Sequence, residues 1–242
     1  MARQVKVWVD HNRCVGNAMC THIAPQVFSL NNDRQSEAVN PGGDTVEKMI
    51  GRVLNAPLQP GAEGLTLSGV GMKERLTELE FYFPLQPITP QKLRKIFSDH
   101  GGAGIPGRFP ERVEELDFSP ARGFLKGFID LVFQARGRFY IVDWKSNYLG
   151  SRAEDYNRER MSREMEESYY LLQSNLYVLA LHQYLKKRLP DYRYRDHFGG
   201  VFYIFLRGVD PGAGEEFGIY RDFPGEELVE ALSRNLIGPA GQ

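Results

Sequence analysis

Two aspartates and a lysine, in neighbouring strand-like segments, are the residues best suited to chemistry. Asp130 ends the run Gly-Phe-Ile-Asp, and Asp143 and Lys145 lie two residues apart in Ile-Val-Asp-Trp-Lys. Carboxylate oxygens suit a hard divalent cation such as Mg²⁺, which keeps waters and substrate phosphates as its other ligands. Such an ion generates hydroxide from water and stabilises charge on a phosphoryl group. These residues therefore predict metal-dependent chemistry on a phosphate.

The spacing of the two acids predicts that they meet across a hairpin. A two-residue turn at 136–137 would place Asp130 directly opposite Asp143 on the neighbouring strand. Opposed residues share a face of the sheet, with Cβ atoms about 4.5–5.5 Å apart. Lys145 returns to that face because side chains alternate along a strand. Like charges placed in this way destabilise a strand pair, so a positive group is expected between them.

The positive group has two interpretations. In the structural one, Lys145 neutralises both aspartates as a buried ion pair. A structural pair needs no second acid, so the register match of Asp130 with Asp143 favours a cation site. In the catalytic interpretation, Lys145 orients or deprotonates the attacking water, or stabilises the pentavalent phosphate as a point charge.

The elements that must position these residues follow from the hydrophobic pattern. Strands are predicted over 75–83, 123–133, 138–145 and 200–207, with Pro84 ending the first of them. A helix is predicted over 89–100, with Thr89 as its cap. A long helical stretch over 153–189 is predicted to break once near 161–165. The last strand is a continuous apolar run, which is typical of a strand covered on both faces. Strands and helices mixed in this way predict an α/β fold.

Composition limits the classes of function. The 242 residues carry 30 Lys+Arg and 31 Asp+Glu, a formal charge of −1, which argues against non-specific coating of nucleic acid but permits a local basic groove. No apolar run approaches the length of a membrane span and no Walker phosphate loop is present. Two cysteines are too few for a disulfide scaffold and fit a reducing compartment. We expect a cytoplasmic protein without a membrane partner.

Three runs of residues carry a family resemblance. They are Gly127–Asp130, Asp143–Asn147 and Gln173–Tyr177, and they resemble the nuclease core of the PD-(D/E)xK superfamily. More closely, they resemble the RecB-type nuclease domain of exodeoxyribonuclease V beta subunits. The stretches 79–82 and 197–208 extend the resemblance over about residues 51–242. It implies a restriction-endonuclease-like mixed sheet flanked by helices.

The resemblance implies magnesium-dependent cleavage of DNA in repair and recombination, with Mn²⁺ as a substitute ion. It assigns Asp130 and Asp143 as metal ligands and Lys145 as the catalytic lysine. Glu78 and the backbone carbonyl of Trp144 would complete the metal site. An alternative for Glu78 is a solvent-facing acid paired on its strand face with Glu80.

The same resemblance assigns roles to polar residues around the hairpin. Gln173 and Tyr177 are four apart on a helix and share a face, and the resemblance implies that they form the QxxxY motif beside the active site. Helix packing, with the tyrosine hydroxyl bonded, is the alternative. Ser146 and Asn147 are implied to contact the DNA backbone, although polar residues at a strand end need no such role.

Residues 1–50 resemble a different family, the small ferredoxins with a three-iron cluster. The resemblance lies in the runs 7–10, 13–20 and 24–28, which include Cys14 and Cys20. The expected position of the third cysteine ligand holds Ala56. Because two thiolates cannot hold such a cluster unaided, no iron–sulfur cluster is expected. The predicted organisation is a ferredoxin-like fragment over 1–50 and a nuclease domain over 51–242.

This organisation departs from the nuclease family. In the family an upstream helix carries a histidine near the metal, and we expect the ferredoxin-like piece to replace this helix and the helicase part to be absent. The prediction is therefore a truncated or chimeric module, with activity weakened or lost as one outcome. RecC-like and RecD-like partners are implied. The alternative functions are a ferredoxin-like electron-transfer protein and a non-catalytic module for DNA binding or subunit docking.

Overall fold

The computed structural model describes most of the chain. The described residues are 9–11, 14, 28–38, 44–59, 64–118 and 123–237. They belong to two compact units, one built from 1–69, 144–158 and 204–219, the other from 70–143, 159–203 and 220–242. The boundary proposed after residue 50 stays a prediction.

The first unit contains a small hairpin and one longer helix. Strands β1 (Phe28–Leu30) and β2 (Ser36–Ala38) pair antiparallel, and helix α1 runs over Asp44–Asn55. The backbone N–H of Ser36 donates to the Sγ of Cys14 at 3.4 Å. Cys20 lies outside the described residues, so the ferredoxin-like interpretation stays a prediction.

A five-stranded sheet forms the centre of the second unit, although β5 and β6 end, and β7 begins, with residues assigned to the first. Its strands are β3 (Arg75–Leu85), β4 (Gly123–Ala135), β5 (Arg138–Lys145), β6 (Phe198–Phe205) and β7 (Ile219–Asp222), paired in that order. The rings of Phe133, Tyr140 and Phe202 stack on one another across the central strands. The predicted α/β class is confirmed.

The turn between β4 and β5 has the two residues expected of it. Arg136 and Gly137 have φ values of 51° and 76°. Left-handed φ at both central residues characterises the type I′ turn, whose twist matches that of the flanking strands. The recorded pairs run from Ala135 opposite Arg138 to Leu131 opposite Val142. The predicted register is therefore confirmed along this part of the hairpin.

Two strand ends differ from prediction. Pro84 does not end β3 but pairs with Phe124 inside it. Strand β3 is at the edge of the sheet, and an edge strand accommodates a proline that donates no hydrogen bond. Strand β6 begins and ends two residues earlier than predicted, because the chain turns at 206–208. Apart from Gly199, its residues are buried, as expected of a strand covered on both faces.

The helices of the second unit are α2 (Pro90–His100), α3 (Phe109–Glu114), α4 (Arg158–Glu167, its first residue in the other unit), α5 (Tyr170–Arg188), α6 (Tyr194–His197) and α7 (Glu226–Leu236). The cap of α2 is as predicted, since Oγ1 of Thr89 accepts from the N–H of Lys92 at 3.2 Å. None of the helices described is long and apolar enough to cross a membrane.

The break between α4 and α5 lies later than predicted. Met161 and Met165 are fully buried within α4, and the chain instead turns at Tyr169, whose φ is 56°. The hydroxyl of Tyr169 donates to the carbonyl of Arg112 at 3.2 Å, and that residue's guanidinium lies 5.2 Å from the ring centroid. These tertiary contacts hold the left-handed residue, and local sequence does not encode them.

Candidate active site

The two aspartates lie directly past the recorded end of the hairpin pairing, one on each strand. The last recorded pair is Leu131 with Val142, and the same register continued by one residue would place Asp130 opposite Asp143. The side chain of Asp143 is nearly inaccessible, with 3% of the residue exposed, and Asp130 is partly buried. Two carboxylates facing each other out of bulk water repel strongly unless a cation lies close to them.

Lys145 continues strand β5 two residues beyond Asp143. Alternation along the strand gives both side chains the same face. Only 8% of Lys145 is exposed, which is unusual for a lysine in the absence of negative charge nearby. Asp143 belongs to the second unit and Lys145 to the first, and both the predicted row of acid and amine and the catalytic role of Lys145 stay predictions.

A chain of hydrogen bonds links helix α5 to strand β6. The hydroxyl of Tyr203 donates to Oε1 of Gln173 at 3.1 Å, and Nε2 of Gln173 donates to the hydroxyl oxygen of Tyr177 at 3.0 Å. All three side chains are largely or wholly buried. These bonds fix both the orientation of the glutamine amide and the assignment of its oxygen and nitrogen.

Both tyrosines lie within electrostatic reach of the aspartates. Burial raises the pKa of Tyr177, and the negative charges of Asp143 and Asp130 raise it further, against a smaller lowering by the hydrogen bond from Gln173. Burial raises the pKa of Tyr203 as well, and the same two carboxylates add to the shift. The hydroxyls therefore stay protonated and act as hydrogen-bond donors, not as bases.

Glu78 occupies an irregular position in β3. The pairs on both sides of it, Thr77 with Leu131 and Leu79 with Ile129, keep one register that would put Glu78 opposite Asp130. Glu78 itself has a φ of 52° and no recorded pair, and it is exposed. The regular alternation used to predict its face is broken at this residue. Its role as a metal ligand stays a prediction.

The donor set fits a cation held by few protein ligands. In the described part of the chain, no group of three or more His, Cys, Asp or Glu side chains is arranged to hold a metal ion. The two opposed aspartates are hard oxygen donors, and Mg²⁺ usually binds through one or two carboxylates while keeping several waters. This hairpin therefore suits Mg²⁺ better than a metal that needs a closed protein cage.

Three further predicted site residues follow at the end of β5, in the first unit. Trp144, Ser146 and Asn147 are all partly buried. The carbonyl of Asn147 accepts a bond from the buried hydroxyl of Tyr156 at 3.4 Å. This hydrogen bond helps to hold the backbone at the end of the strand, independently of any contact with DNA. The DNA contacts predicted for the two polar residues and the metal contact of the Trp144 carbonyl stay predictions.

Tyr203 was not among the predicted site residues. It lies within the apolar run of β6, which was interpreted as pure core. A buried tyrosine hydroxyl usually has a hydrogen-bond partner, and Tyr203 is the one hydroxyl in Gly-Val-Phe-Tyr-Ile-Phe-Leu. That signal could have suggested a polar partner such as Gln173.

A known protein family matches the part of the chain that contains most of these residues. The family model described as the PD-(D/E)XK nuclease superfamily matches residues 85–236, which include the hairpin and helix α5. The matched range contains every predicted site residue except Glu78 and the two cysteines.

Several curated relatives are also similar to the chain. The RecBCD enzyme subunit RecB of Escherichia coli K12 is 41% identical over 192 residues, which are 78% of this chain and 15% of that protein. The subunit of the same name from Haemophilus influenzae is 35% identical over 191 residues, 78% of this chain and 15% of that protein. The one from Mycobacterium tuberculosis H37Rv is 36% identical over 201 residues, 74% of this chain and 18% of that protein. The chain thus spans less than a fifth of the length of these relatives.

Proposed function

Because the chain belongs to the PD-(D/E)XK nuclease superfamily, we propose that it hydrolyses phosphodiester bonds in DNA at the hairpin of β4 and β5. Nucleases of this superfamily generally use a divalent metal. The proposed ion is Mg²⁺, with Mn²⁺ as a substitute, and the proposed ligands are Asp130 and Asp143. Glu78 and the carbonyl of Trp144 are proposed as additional ligands.

The observation that carries the proposal is the hairpin register, which is recorded up to Leu131 and Val142 and, if continued by one residue, would set Asp130 opposite Asp143. Holding two carboxylates together costs the sheet stability, and that cost is offset when a cation binds between them. When bound, such an ion would supply a more acidic water and positive charge beside the phosphate. The buried position of Asp143 keeps bulk water from screening these charges.

The chain's own side chains have distinct proposed tasks. The ammonium group of Lys145 supplies positive charge to the phosphate as negative charge builds on its oxygens. Tyr177 accepts a hydrogen bond from Gln173, and the negative charges of Asp143 and Asp130 help to raise the pKa of its hydroxyl. Gln173 and Tyr177 are proposed as positioning residues beside the carboxylates. Ser146 and Asn147 are proposed to contact the backbone of the DNA.

The biological setting is proposed from similarity. Relatives that match this chain are subunits of an enzyme named RecBCD, so DNA repair and recombination is the proposed process. A RecC-like and a RecD-like subunit are the proposed partners, and the cytoplasm is the proposed location. The ferredoxin-like interpretation of residues 1–50 enters none of these steps, and no iron–sulfur cluster is proposed.

A DNA cleavage assay tests the proposal. End-labelled linear DNA is incubated with the purified chain, with Mg²⁺ or with a chelator, and the same reactions are run with Asp143→Ala. We expect Mg²⁺-dependent shortening of the label by the native chain alone. Equal cleavage by both proteins would show that this hairpin is not the cutting centre. DNA that is bound but left intact by the native chain would identify a non-catalytic module instead.

A further inference from the structure

Strand β4 carries an exposed row of alternating rings and charge on the face of Asp130. Counting back by twos from Asp130, the residues are Phe128, Lys126 and Phe124, which share that face because strand side chains alternate. Phe128 is 47% and Phe124 58% exposed. Large aromatic side chains are seldom left so open along one strand without a partner to cover them.

Strand β3 adds a fourth side chain to this row. Tyr82 lies opposite Lys126 and stacks on Phe124, with ring centroids 4.4 Å apart and planes inclined by 10°. Tyr82 is 59% exposed. We call Tyr82, Phe124, Lys126 and Phe128 the aromatic ledge. Two parallel, exposed rings present a flat apolar surface. Because the rings are already ordered by stacking on each other, they lose little further side-chain entropy when a ligand binds.

Positive charge is distributed along the aromatic ledge. The Nζ of Lys126 lies 5.3 Å from the ring centroid of Phe128 and 2.7 Å from a carboxylate oxygen of Glu80. A groove of about 570 Å³ adjoins the stacked rings and is lined on its other side by Tyr184 and Lys187 of helix α5. The guanidinium of Arg188 lies over the Tyr184 ring, 4.5 Å from its centroid. Lys187 and Glu80 both line the groove, and the cations of Lys126 and Arg188 lie over the rings of Phe128 and Tyr184.

We propose that the aromatic ledge is a binding subsite for single-stranded DNA, in which bases stack on the rings of Tyr82, Phe124 and Phe128. Proteins that bind single strands without sequence preference combine such rings with a positively charged groove that follows the backbone. In this arrangement Lys187 and Arg188 face the phosphates. Bases in a duplex are covered by their own neighbours, so the ledge selects unpaired strands. The proposal rests on the proposed nuclease function for the identity of the strand that passes.

The position of the ledge supports this occupant over a protein partner. Phe128 is two residues from Asp130 on one face of β4, so one strand can lie on the ledge and reach the proposed metal site without crossing the sheet. The ledge thus adjoins the proposed cutting centre and forms a path leading up to it.

Binding can be measured apart from cleavage. Fluorescence anisotropy in a chelating buffer would compare a labelled oligo(dT) with an abasic oligonucleotide of equal length and charge. We expect the native chain to prefer oligo(dT) by about fivefold or more for each stacked base, since that is the smallest effect of losing one stacking ring. Equal affinities would overturn the proposal, because phosphate contacts alone would then explain binding.

Matched variants locate the effect. Tyr82→Ala with Phe124→Ala should weaken oligo(dT) binding by about fivefold or more for each ring while leaving the abasic oligonucleotide unchanged, and Tyr82→Phe should bind as the native chain does. Lys187→Ala should weaken both oligonucleotides alike and reduce the salt dependence of binding. A double alanine variant that is folded and binds oligo(dT) normally would contradict the proposal. It would point to a protein-binding surface.

Photocrosslinking of the native chain provides a test that needs no variant. An oligonucleotide carrying 5-bromouracil should form adducts on peptides containing Tyr82 or Phe124. Adducts confined to other peptides would contradict the ledge. Neither the anisotropy measurements nor the photocrosslinking depends on metal or on cleavage, so both remain interpretable if the nuclease assay fails. Conversely, if the chain cuts DNA but fails both binding tests, the proposed nuclease function stands and only the proposed subsite is overturned.

Discussion

Tyr203 of strand β6 donates its hydroxyl hydrogen to Gln173 of helix α5 at 3.1 Å. This bond joins the interior of the sheet to the glutamine of the QxxxY motif, and it holds the amide in the orientation that bonds Tyr177. A sequence motif on one helix is thus completed by a residue from a distant strand.

Tyr203→Phe removes this bond with almost no change in volume. We expect it to lower the free energy of unfolding by about 1–2 kcal/mol, since the buried Oε1 of Gln173 loses its donor. If Gln173 positions the site, kcat of DNA cleavage should fall while KM changes little. Tyr148→Phe, at an exposed tyrosine, is the matched control. Unchanged kcat in a destabilised Tyr203→Phe protein would mean that the bond is purely structural.

Lys145→Met should leave a folded protein with little nuclease activity. The methionine fills the space of the buried aliphatic stem but supplies no charge, and loss of one electrostatic stabiliser typically costs about 10²–10³ in kcat. Lys145→Arg should not restore activity, since the guanidinium is larger and distributes its charge differently. Lys95→Met, which breaks an exposed pair with Asp99, is the control. The measurement is the steady-state cleavage rate of the three variants and of the native chain. A Lys145→Met rate equal to the native rate would show that the lysine is dispensable.

Gly127→Ala should destabilise the protein through a steric clash. A Cβ at this position would lie 2.4 Å from the Cζ of Phe81, the residue paired with it on β3. We expect a loss of about 1–3 kcal/mol in urea unfolding, the usual cost of overpacking. At Gly123 on the same strand an added Cβ meets nothing within 4 Å, so Gly123→Ala should be nearly neutral. Relief of the Gly127→Ala defect by Phe81→Leu would identify the ring as the cause.

Stability should fall with acid because of one histidine. Burial lowers the pKa of His182 and Lys186 lowers it further, against a raising effect of nearby Glu230. The unfolded chain, with an ordinary histidine pKa of about 6.5, takes up this proton before the folded chain does. Stability contributed by the neutral imidazole is therefore present above about pH 6.5 and is lost as the pH falls towards the depressed pKa.

The measurement is urea unfolding at pH 7.5, 6.5 and 5.5 for the native chain and His182→Gln. The native chain should lose stability over this range more steeply than the variant. Glu230 should not obscure the comparison. Burial raises its pKa, but Lys186 and His182 lower it on balance below the usual 4.5, so it titrates at lower pH. Parallel curves for the two proteins would assign the acid sensitivity to other groups.

The hairpin could be predicted from sequence because its geometry is local. A two-residue turn with glycine at Gly137 fixes the register, and the register fixes which residues oppose each other. Helix α2 was equally predictable from Thr89 and Pro90, since capping depends on adjacent residues.

Other features depend on contacts between distant segments. The left-handed Tyr169 is held by Arg112, 57 residues away in sequence, and no local pattern encodes that bond. Pro84 lies within β3 because that strand is at the edge of the sheet, and the order of strands in a sheet depends on the whole fold. The irregular φ of Glu78 interrupts an alternation that the sequence alone predicts to be regular. Tyr203 was missed because its partner Gln173 lies 30 residues earlier in the chain.

The central claim is that Asp130 and Asp143 together hold a divalent cation, and thermal unfolding with and without Mn²⁺ tests it most directly. Ion binding to the folded chain alone stabilises it by about 2.7 kcal/mol at a hundredfold excess over Kd. We predict that Mn²⁺ raises the Tm of the native chain and of Glu80→Gln but not of Asp130→Asn. In a chelator, Asp130→Asn should melt no lower than the native chain, because it removes a like-charge contact. A metal-induced rise that persists in Asp130→Asn would contradict the account.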